Sequence, residues 1–283
     1  MGTLYVVATP IGNTKDISLN AIEILKSVDI IACEDTRTSG LLLKEYNISN
    51  SLVSYHKFNE NSKSDFLIDE LLNGKDIAII SDAGTPCIND PGSYVVKKAI
   101  DKGINVIPIP GASAVISSLS ISGFTISSFS FLGFIPRVNK EINELFDNIN
   151  NSPFELFVLY ESPKRIKKSI ELIRDGLDNP YICVFNDLTK KYQRVYRGKS
   201  SDVLKELEDN TNSEKGEYVL IIQKIKEKKN IINEEISLEA SLVNIMIKDK
   251  CSMKDAIKKL SETSDYNKNE IYNASLNLKE LFK

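Results

Sequence analysis

The stretch "SDAGTPCINDPG" (81–92) places two acids, two glycines and two prolines directly after a short apolar run. The carboxylate of Asp82 can accept a hydrogen bond from an amine or a ribose hydroxyl of a ligand. Gly84, which is followed by Thr85, lets the backbone approach a ligand closely. The sequence therefore predicts a ligand-contacting loop here, with a turn-stabilising role as the alternative for Asp82.

A second group of candidates combines acids, an arginine and the single histidine. Glu34, Asp35 and Arg37 follow the apolar run "DIIAC", and His56 and Glu60 lie in "YHKFNE". Carboxylates and imidazole accept protons from reacting hydroxyls, and arginine holds phosphates or carboxylates. We therefore take these five residues as catalytic candidates. Asp35 could instead cap the helix that begins directly after it, and His56 could be structural.

Two further loops complete the predicted ligand site. Pro10 and Gly12 lie in "TPIGN" after the first apolar run, and Ser113 and Ala114 lie in "PGASA" after the fifth. No loop carries the glycine-rich fingerprint of a dinucleotide site or of a nucleotide triphosphate site. The expected ligand has few or no phosphates, and an adenosyl group with an amino-acid tail and a positive sulfonium would fit. Ser113 could alternatively begin a helix.

Cysteine spacing and charge exclude several classes of protein. Cys33, Cys87, Cys183 and Cys251 form no C-x-x-C pair, and His56 is the only histidine. Neither a zinc cluster nor a disulfide framework is expected, and we predict no metal site. The net charge of −3 argues against indiscriminate nucleic-acid binding. Residues 160–200 nevertheless hold ten Lys or Arg against five Asp or Glu, and such a basic face can bind a polyanion.

The elements that must position these loops alternate in the first half of the chain. Short β-branched runs are separated by helical patterns, which is typical of βαβ units and a parallel sheet. Ligands bind beyond the carboxyl ends of such strands, so the loops described above should lie together. Asp90, which precedes Pro91, predicts a helix N-cap, with a ligand role as the alternative. The predicted strands are residues 3–8, 29–33, 52–55, 76–80 and 104–109.

Residues 155–223 contain four predicted strands with fewer helices between them, which predicts a mixed or antiparallel sheet. The segment 121–137 breaks the earlier rhythm, and we interpret it as a crossover between domains. After the charged linker "KIKEKKN" only helical patterns remain, typical of a helix-turn-helix-like module or a packing subdomain. We therefore predict an α/β protein with a parallel-sheet domain, a mixed-sheet α/β domain and a helical module. Their ranges are 1–122, 123–228 and 236–283, and the strands of the second domain are 155–160, 181–186, 193–199 and 216–223.

Seven ordered motifs give the chain a specific resemblance to one family. They are "ATPIGN", "ACEDTRTS", "SDAGTPCINDPG", "PGASA", "FLGFIPR", "YESPKRI" and "KGEYVLII". In this order the motifs resemble those of the ribosomal RNA small subunit methyltransferase I family, in the tetrapyrrole methylase-like class of S-adenosylmethionine enzymes. The resemblance covers residues 3–223, and "SDYNKNEIYNASL" is similar to the family's C-terminal helices. Where the family often has "HEHNE", Phe58 replaces the second histidine.

The resemblance implies two α/β domains of the tetrapyrrole methylase type with S-adenosylmethionine bound between them. It also implies a homodimer and 2′-O-methylation of a cytidine ribose, expected at cytidine 1402, in the decoding region of 16S rRNA, with the small ribosomal subunit as partner. The expected cofactor contacts are Pro10, Gly12, Asp82, Gly84, Thr85, Ser113, Ala114 and Tyr160. The expected phosphate contacts on the basic face are Lys164, Arg165, Lys167, Lys168, Arg194 and Arg197.

Other functions remain as alternatives. A methylase of the same architecture could act on a tetrapyrrole or a protein side chain, and a non-enzymatic nucleic-acid-binding protein could use the C-terminal helices. A Rossmann dehydrogenase lacks its glycine fingerprint here. No apolar stretch approaches the roughly 20 residues that span a bilayer, so we expect a cytoplasmic protein without membrane contact.

Overall fold

The computed structural model describes residues 1–224, 237–264 and 266–281. The chain divides into two compact units, Met1–Ile225 and Lys226–Lys283. Apart from its first residue, the predicted linker "KIKEKKN" lies outside the described residues. Both sheets belong to the first unit, so the predicted division near residue 123 stays a proposal.

The first sheet has five parallel strands in the order β3-β2-β4-β1-β5. Each predicted strand of the first half is present, and a helix follows each one in the chain. Parallel strands place their carboxyl ends along one edge, where the five strand-end loops meet. The elements are β1 Thr3–Val7, α1 Leu19–Ser27, β2 Ile30–Cys33, α2 Thr36–Glu45, β3 Ser51–Ser54, α3 Glu60–Leu72, β4 Ile77–Ile80, α4 Ser93–Asp101, β5 Asn105–Ile109 and α5 Ala114–Ser120.

The core of this sheet has an apolar layer on each face. Strands β2 and β4 are buried along their whole length, which explains their continuous apolar sequence. Leu67 of α3 and Val95 of α4 pack on one face, and Leu25 of α1 and Leu43 of α2 pack on the other. The strands are thereby fixed on both sides, and the loops that leave them start from a rigid base.

The second sheet is mixed, as predicted, with the order β6-β7-β10-β8-β9. Strand β6 runs parallel to β7, and the other neighbours are antiparallel. The interpretation of 121–137 as only a crossover is wrong, because β6 lies inside it. Gly133 (φ +70°) and a register shift between Phe131 and Phe134 interrupt the alternation that would have predicted β6. The elements are β6 Ser130–Phe134, α6 Asn139–Asn151, β7 Leu156–Glu161, α7 Ile166–Gly176, β8 Tyr181–Asn186, β9 Arg194–Lys199, α8 Ser200–Asp209 and β10 Tyr218–Gln223.

The described part of the second unit consists of three helices, as predicted. They are α9 Leu238–Asp249, α10 Met253–Thr263 and α11 Lys268–Leu281. Leu242, Ala256 and Ile271 form their small core. No helix among residues 1–224, 237–264 and 266–281 has the length and apolarity needed to cross a membrane.

The loop after β1 packs against residues 187–193, which connect β8 to β9. The Asn13 N–H donates to Thr189 Oγ1 at 3.0 Å. A Cβ atom on Gly12 would lie 2.8 Å from the Leu188 carbonyl oxygen and 2.9 Å from Thr189 Oγ1. Loops from the two sheets therefore meet at a distance that only glycine allows.

We predict that Gly12→Ala lowers the free energy of unfolding by about 1–3 kcal/mol, the usual cost of forcing an extra methyl into packed surroundings. The matched control is Gly40→Ala in α2, where a new Cβ meets only Leu52 Cδ1 at 3.9 Å. Helix propensity makes that change neutral or stabilising by up to about 1 kcal/mol. Urea unfolding of both variants measures the difference, and equal stabilities would disprove the close contact.

Candidate active site

The loop of residues 81–92 after β4, called here the β4 loop, is tied to each of the other four strand-end loops. Gly84 and Thr9 exchange two backbone hydrogen bonds, of 2.9 and 3.1 Å, which joins it to the loop after β1. The carboxylate of Asp82 accepts the Asp35 N–H at 3.2 Å, which joins it to the loop after β2. The position of the β4 loop therefore depends on two neighbours on opposite sides of its strand.

The remaining two loops are attached by side chains. Glu60, at the start of α3, accepts the Gly92 N–H at 3.0 Å and the Tyr55 hydroxyl at 3.1 Å. The Thr85 hydroxyl donates to the Ala112 carbonyl oxygen at 3.3 Å, which connects the loop after β5. The β4 loop is consequently the structural centre of this edge of the sheet.

The β4 loop has an unusual backbone, with four residues at positive φ. Gly84 and Gly92 have φ of +81° and +135°, and Cys87 and Asn89 have φ of +70° and +65°. Positive φ is costly for Cys87, so the surrounding bonds must hold this path. The prediction that Asp90 caps a helix is wrong, because α4 begins with Gly92 as its N-cap.

A cavity of about 580 Å³ lies between the β4 loop and the second sheet, a size that suits a nucleoside-sized ligand. Its walls are mainly apolar and come from both sheets. The first-sheet side consists of Ile11, Ala83, Gly84, Thr85, Ile88, Asn89, Asp90, Ser113, Ala114 and Ile116. The second-sheet side consists of Phe134, Tyr160, Glu161, Ser162, Pro163, Phe185, Leu188, Glu217, Tyr218 and Val219.

Three carboxylates line this cavity, and two of them have partners within the protein. Glu161 is buried, accepts the Ser162 N–H at 2.6 Å and lies 3.4 Å from the Arg165 guanidinium. Glu217 pairs with Lys190 at 2.8 Å. Among the described residues, Asp90 has neither a hydrogen-bond partner nor an ion-pair partner. It is therefore the cavity carboxylate left available for a ligand.

Burial and neighbouring acids raise the pKa of three carboxyl groups at this edge. The pKa of Asp90 rises to about 6 because it is partly buried and because the charges of Glu34 and Asp82 add to the effect. Burial also raises the pKa of Glu34, to which Asp82 contributes, and the pKa of Asp82, to which Asp35 contributes. These acids create a negative potential that favours a cation in or near the cavity.

Two aromatic rings, those of Phe134 and Tyr160, form part of the second-sheet side of the cavity. Tyr160 makes edge contacts with Phe131 and Phe134, with ring centroids 5.0 and 5.5 Å apart. Burial, with the charge of Asp90 as a smaller cause, raises the pKa of Tyr160 to about 12. The phenol therefore stays neutral and can serve as a flat surface beside a ligand.

The eight residues predicted to contact a cofactor divide into two groups. Gly84, Thr85, Ser113, Ala114 and Tyr160 line the cavity. The other three, which are Pro10, Gly12 and Asp82, do not.

Each of these three has a structural position instead. Pro10 is buried beside the cavity-lining Ile11. Gly12 contacts the loop after β8, and Asp82 holds the Asp35 N–H. Ser113 does begin α5, accepting the Ile116 N–H, in addition to lining the cavity.

None of the five predicted catalytic residues lines the cavity. Asp35 caps α2 through the Arg37 N–H, and its carboxylate pairs with the Arg37 guanidinium at 2.7 Å. Glu60 holds Gly92. His56, whose charge influences Glu34, has a buried Nδ1 without a hydrogen-bond partner among the described residues.

The predicted phosphate-contacting residues differ in their exposure and in whether they already have partners within the protein. Arg165 donates to the Ile135 and Pro136 carbonyl oxygens at 3.0 and 2.6 Å, so it fastens β6 to α7. The Arg197 guanidinium donates to the Ile121 carbonyl oxygen at 2.7 Å, although the residue is exposed. Lys168 pairs with a neighbouring glutamate, while Lys164 and Arg194 are exposed and Lys167 is partly exposed.

From the sequence, the N-cap role of Asp90 is preferred to a ligand role, because an Asp followed by Pro is typical of a helix start. The cavity residue Phe134 was missed altogether. Phe134 belongs to the missed strand β6. Within the described ranges, no three His, Cys, Asp or Glu side chains are grouped so that they could hold a metal ion.

The class of protein follows from a comparison with known families. Residues 3–204 match the tetrapyrrole (corrin/porphyrin) methylases. The crystal structure of a diphthine synthase has the same fold, with a TM-score of 0.63 at 16% identity over 79% of this chain and 90% of that one. The chain belongs to the tetrapyrrole methylase family.

Relatives identify a narrower group within that family. The ribosomal RNA small subunit methyltransferase I of Buchnera aphidicola subsp. Schizaphis graminum is 39% identical, over 99% of this chain and 97% of the relative. The protein of the same name from Bacillus subtilis is 38% identical, over 97% and 94%. The resemblance found in the seven motifs is thereby confirmed over nearly the whole length.

The unpartnered Asp90 generates a prediction for stability. Its folded pKa of about 6 exceeds the ordinary 3.8, so its contribution to stability is complete at low pH and is lost as the pH rises through about 6. Asp90→Asn should therefore increase the free energy of unfolding at pH 7 by about 1–2 kcal/mol, with the gain vanishing towards pH 4. Urea unfolding across this pH range measures it.

Asp35→Asn provides a control of opposite sign. Hydrogen bonds from Arg37 lower the pKa of Asp35 to about 2, so its contribution is present at neutral pH and is lost on acidification. This variant should be less stable than the wild type at pH 7. A destabilised Asp90→Asn would show that the carboxylate has a partner in the folded chain.

Proposed function

We propose that this protein is an S-adenosylmethionine-dependent methyltransferase that modifies small-subunit rRNA. The observation that carries the proposal is the apolar cavity at the ends of parallel strands, with one unpartnered carboxylate, Asp90, in its wall. Family membership supports methyl transfer, and the names of the relatives support the RNA substrate.

The residues of the cavity fit this cofactor. Ile11, Ala114 and Tyr160 provide apolar surfaces for an adenine, and the Ser113 hydroxyl is close by in the same wall. The acids near the cavity favour a positively charged sulfonium, and the loops lack a phosphate cradle. When bound, S-adenosylmethionine would supply an activated methyl group to an attacking oxygen.

A hydroxyl nucleophile needs help from the protein, because its proton must leave as the new bond forms. Asp90 is suited to accept that proton: it lines the cavity, is unpartnered and is ionised at neutral pH with a pKa of about 6. The first-sheet loops hold Asp90 in place, while the second sheet excludes water from one side. Holding the hydroxyl in line with the methyl group supplies the rest of the rate enhancement.

The proposed target is the ribose 2′-hydroxyl of a cytidine in the decoding region, cytidine 1402, within the small ribosomal subunit. The relatives' printed names support a small-subunit rRNA substrate, and the finer target rests on the family resemblance. Exposed Lys164 and Arg194 are available for RNA phosphates. We further propose a cytoplasmic homodimer.

A cavity-filling variant tests where the cofactor binds. Ala114→Phe should weaken S-adenosylmethionine binding at least tenfold, because the ring would occupy the space for the adenosyl group. Ser120→Phe, at the exposed end of the same helix α5 and outside the cavity wall, is the matched control and should bind normally. Calorimetry measures both affinities, and normal binding by Ala114→Phe would move the cofactor elsewhere.

The reaction itself should be visible as methylation of small-subunit rRNA on a ribose, which protects one linkage from alkaline hydrolysis. Asp90→Asn should slow single-turnover methylation at least 100-fold, a typical contribution of a general base. The wild-type rate should fall below about pH 6, where Asp90 becomes protonated. That acid limb should be absent from the residual activity of the variant.

Binding measurements separate the possible outcomes. If Asp90→Asn loses cofactor affinity in proportion to its rate, Asp90 binds the cofactor rather than accepting the proton. If the wild type binds the cofactor but leaves small-subunit rRNA unmethylated, the proposed substrate is wrong.

A further inference from the structure

The turn between β3 and α3 carries an aromatic ring that the proposed mechanism does not use. The Phe58 side chain is 95% exposed, more than any other large apolar side chain in the described part of the chain. Its ring makes an edge contact with His56, with centroids 6.1 Å apart and planes at 64°. Such a contact leaves a ring face open to solvent.

The backbone that carries Phe58 is held on both sides. Asn59 Oδ1 accepts the His56 N–H at 2.8 Å, and the Asn59 N–H donates to the His56 carbonyl oxygen at 2.9 Å. Asn59 Nδ2 also donates to Ser54, and the Tyr55 N–H donates to Cys33 of β2 at 2.8 Å. Because these bonds close the turn, the phenyl ring is displayed on a fixed support.

The turn also belongs to the edge that forms the proposed active site. The Tyr55 N–H, directly before His56, donates to the carbonyl oxygen of Cys33, the residue that precedes Glu34. Glu60, two residues after Phe58, holds Gly92 of the β4 loop. The ring is therefore at the same rim of the sheet as the residues proposed to act on the ribose.

The surroundings of the ring favour a nucleobase over a protein surface. Along the chain, its exposed neighbours Lys57, Asn61 and Ser62 are polar. A protein interface has an apolar core of several side chains, whereas proteins bind single-stranded RNA with isolated aromatic rings beside positive charges. Lys57 can approach the phosphate next to a base that stacks on Phe58.

We propose that Phe58 stacks on an unpaired base of the RNA substrate next to the methylated ribose, an inference that rests on the proposed function. Stacking fixes the nucleotide relative to the cavity and adds affinity without requiring a particular base. The ring thus acts in substrate binding, separately from cofactor binding and proton transfer.

The experiment compares Phe58→Ala with Phe58→Tyr, which keeps the ring, and with Phe66→Ala. Phe66 is a 41% exposed phenylalanine on α3 outside the turn and is the matched control. Each full-length variant is titrated with an rRNA fragment that carries the target in a single-stranded segment, over a range of salt concentrations. A second fragment has 2-aminopurine next to the target ribose, because stacking on an aromatic ring changes its fluorescence.

Phe58→Ala should weaken RNA binding about tenfold with an unchanged salt dependence, because stacking releases no counterions. The fluorescence change on binding should disappear in this variant and persist in Phe58→Tyr, while Phe66→Ala matches the wild type. S-adenosylmethionine affinity should be unchanged in all three.

Three results would overturn the inference. Unchanged RNA affinity and fluorescence in Phe58→Ala would remove the stacking role. Loss of affinity in Phe58→Tyr equal to that in Phe58→Ala would show that the ring itself is not used. A shift of Phe58→Ala to a smaller species in sedimentation would make Phe58 a contact between copies of the chain. If the wild type methylates no rRNA, the proposed function fails first.

Discussion

The backbone pairing between Thr9 and Gly84 is the interaction on which the candidate site depends. It joins the ends of two central strands and fixes where the β4 loop starts its path. The Asp35 N–H also holds Asp82 near the start of the loop, Thr85 connects it to the loop after β5, and Glu60 holds Gly92 at its end. Because all five strand-end loops share these bonds, a shift in one of them is transmitted to the others.

A partly buried carboxylate without a partner costs free energy of folding, and neighbouring acids avoid that cost by having partners. Asp82 accepts a backbone N–H, and Glu161 has a serine N–H and an arginine. Asp90 receives nothing comparable, and its partial burial, with the charges of Glu34 and Asp82, raises its pKa to about 6. Uncompensated burial of this kind is frequent at functional sites, where the missing partner is the substrate or the cofactor.

Patterns within short windows predicted most of the fold and part of the site. Alternation of apolar runs with helical patterns located nine of the ten strands, and the strand-end rule found four cavity residues, to which the family resemblance added Tyr160. Local signals failed where distant contacts decide the conformation. The N-cap of α4 is Gly92 rather than Asp90, and the Gly92 N–H is bonded to Glu60. The Arg165 side chain points inward because it donates to the Ile135 and Pro136 carbonyl oxygens that follow β6. Neither partner is visible from neighbouring sequence.

Two glycines explain why the cavity needs both sheets. A Cβ on Gly12 would lie 2.8 Å from the Leu188 carbonyl oxygen, and a Cβ on Gly133 would lie 2.9 Å from Nδ2 of the Asn89 side chain. Neighbours of both contacts, Ile11 and Phe134, line the cavity, as do Leu188 and Asn89 themselves. A larger residue at Gly12 would meet the Leu188 backbone, and one at Gly133 would meet the Asn89 side chain while holding a strained positive φ. The close approach at these two glycines therefore brings first-sheet loops against the second sheet beside the cavity, and a substitution at either would press directly on a residue that lines it, Leu188 or Asn89.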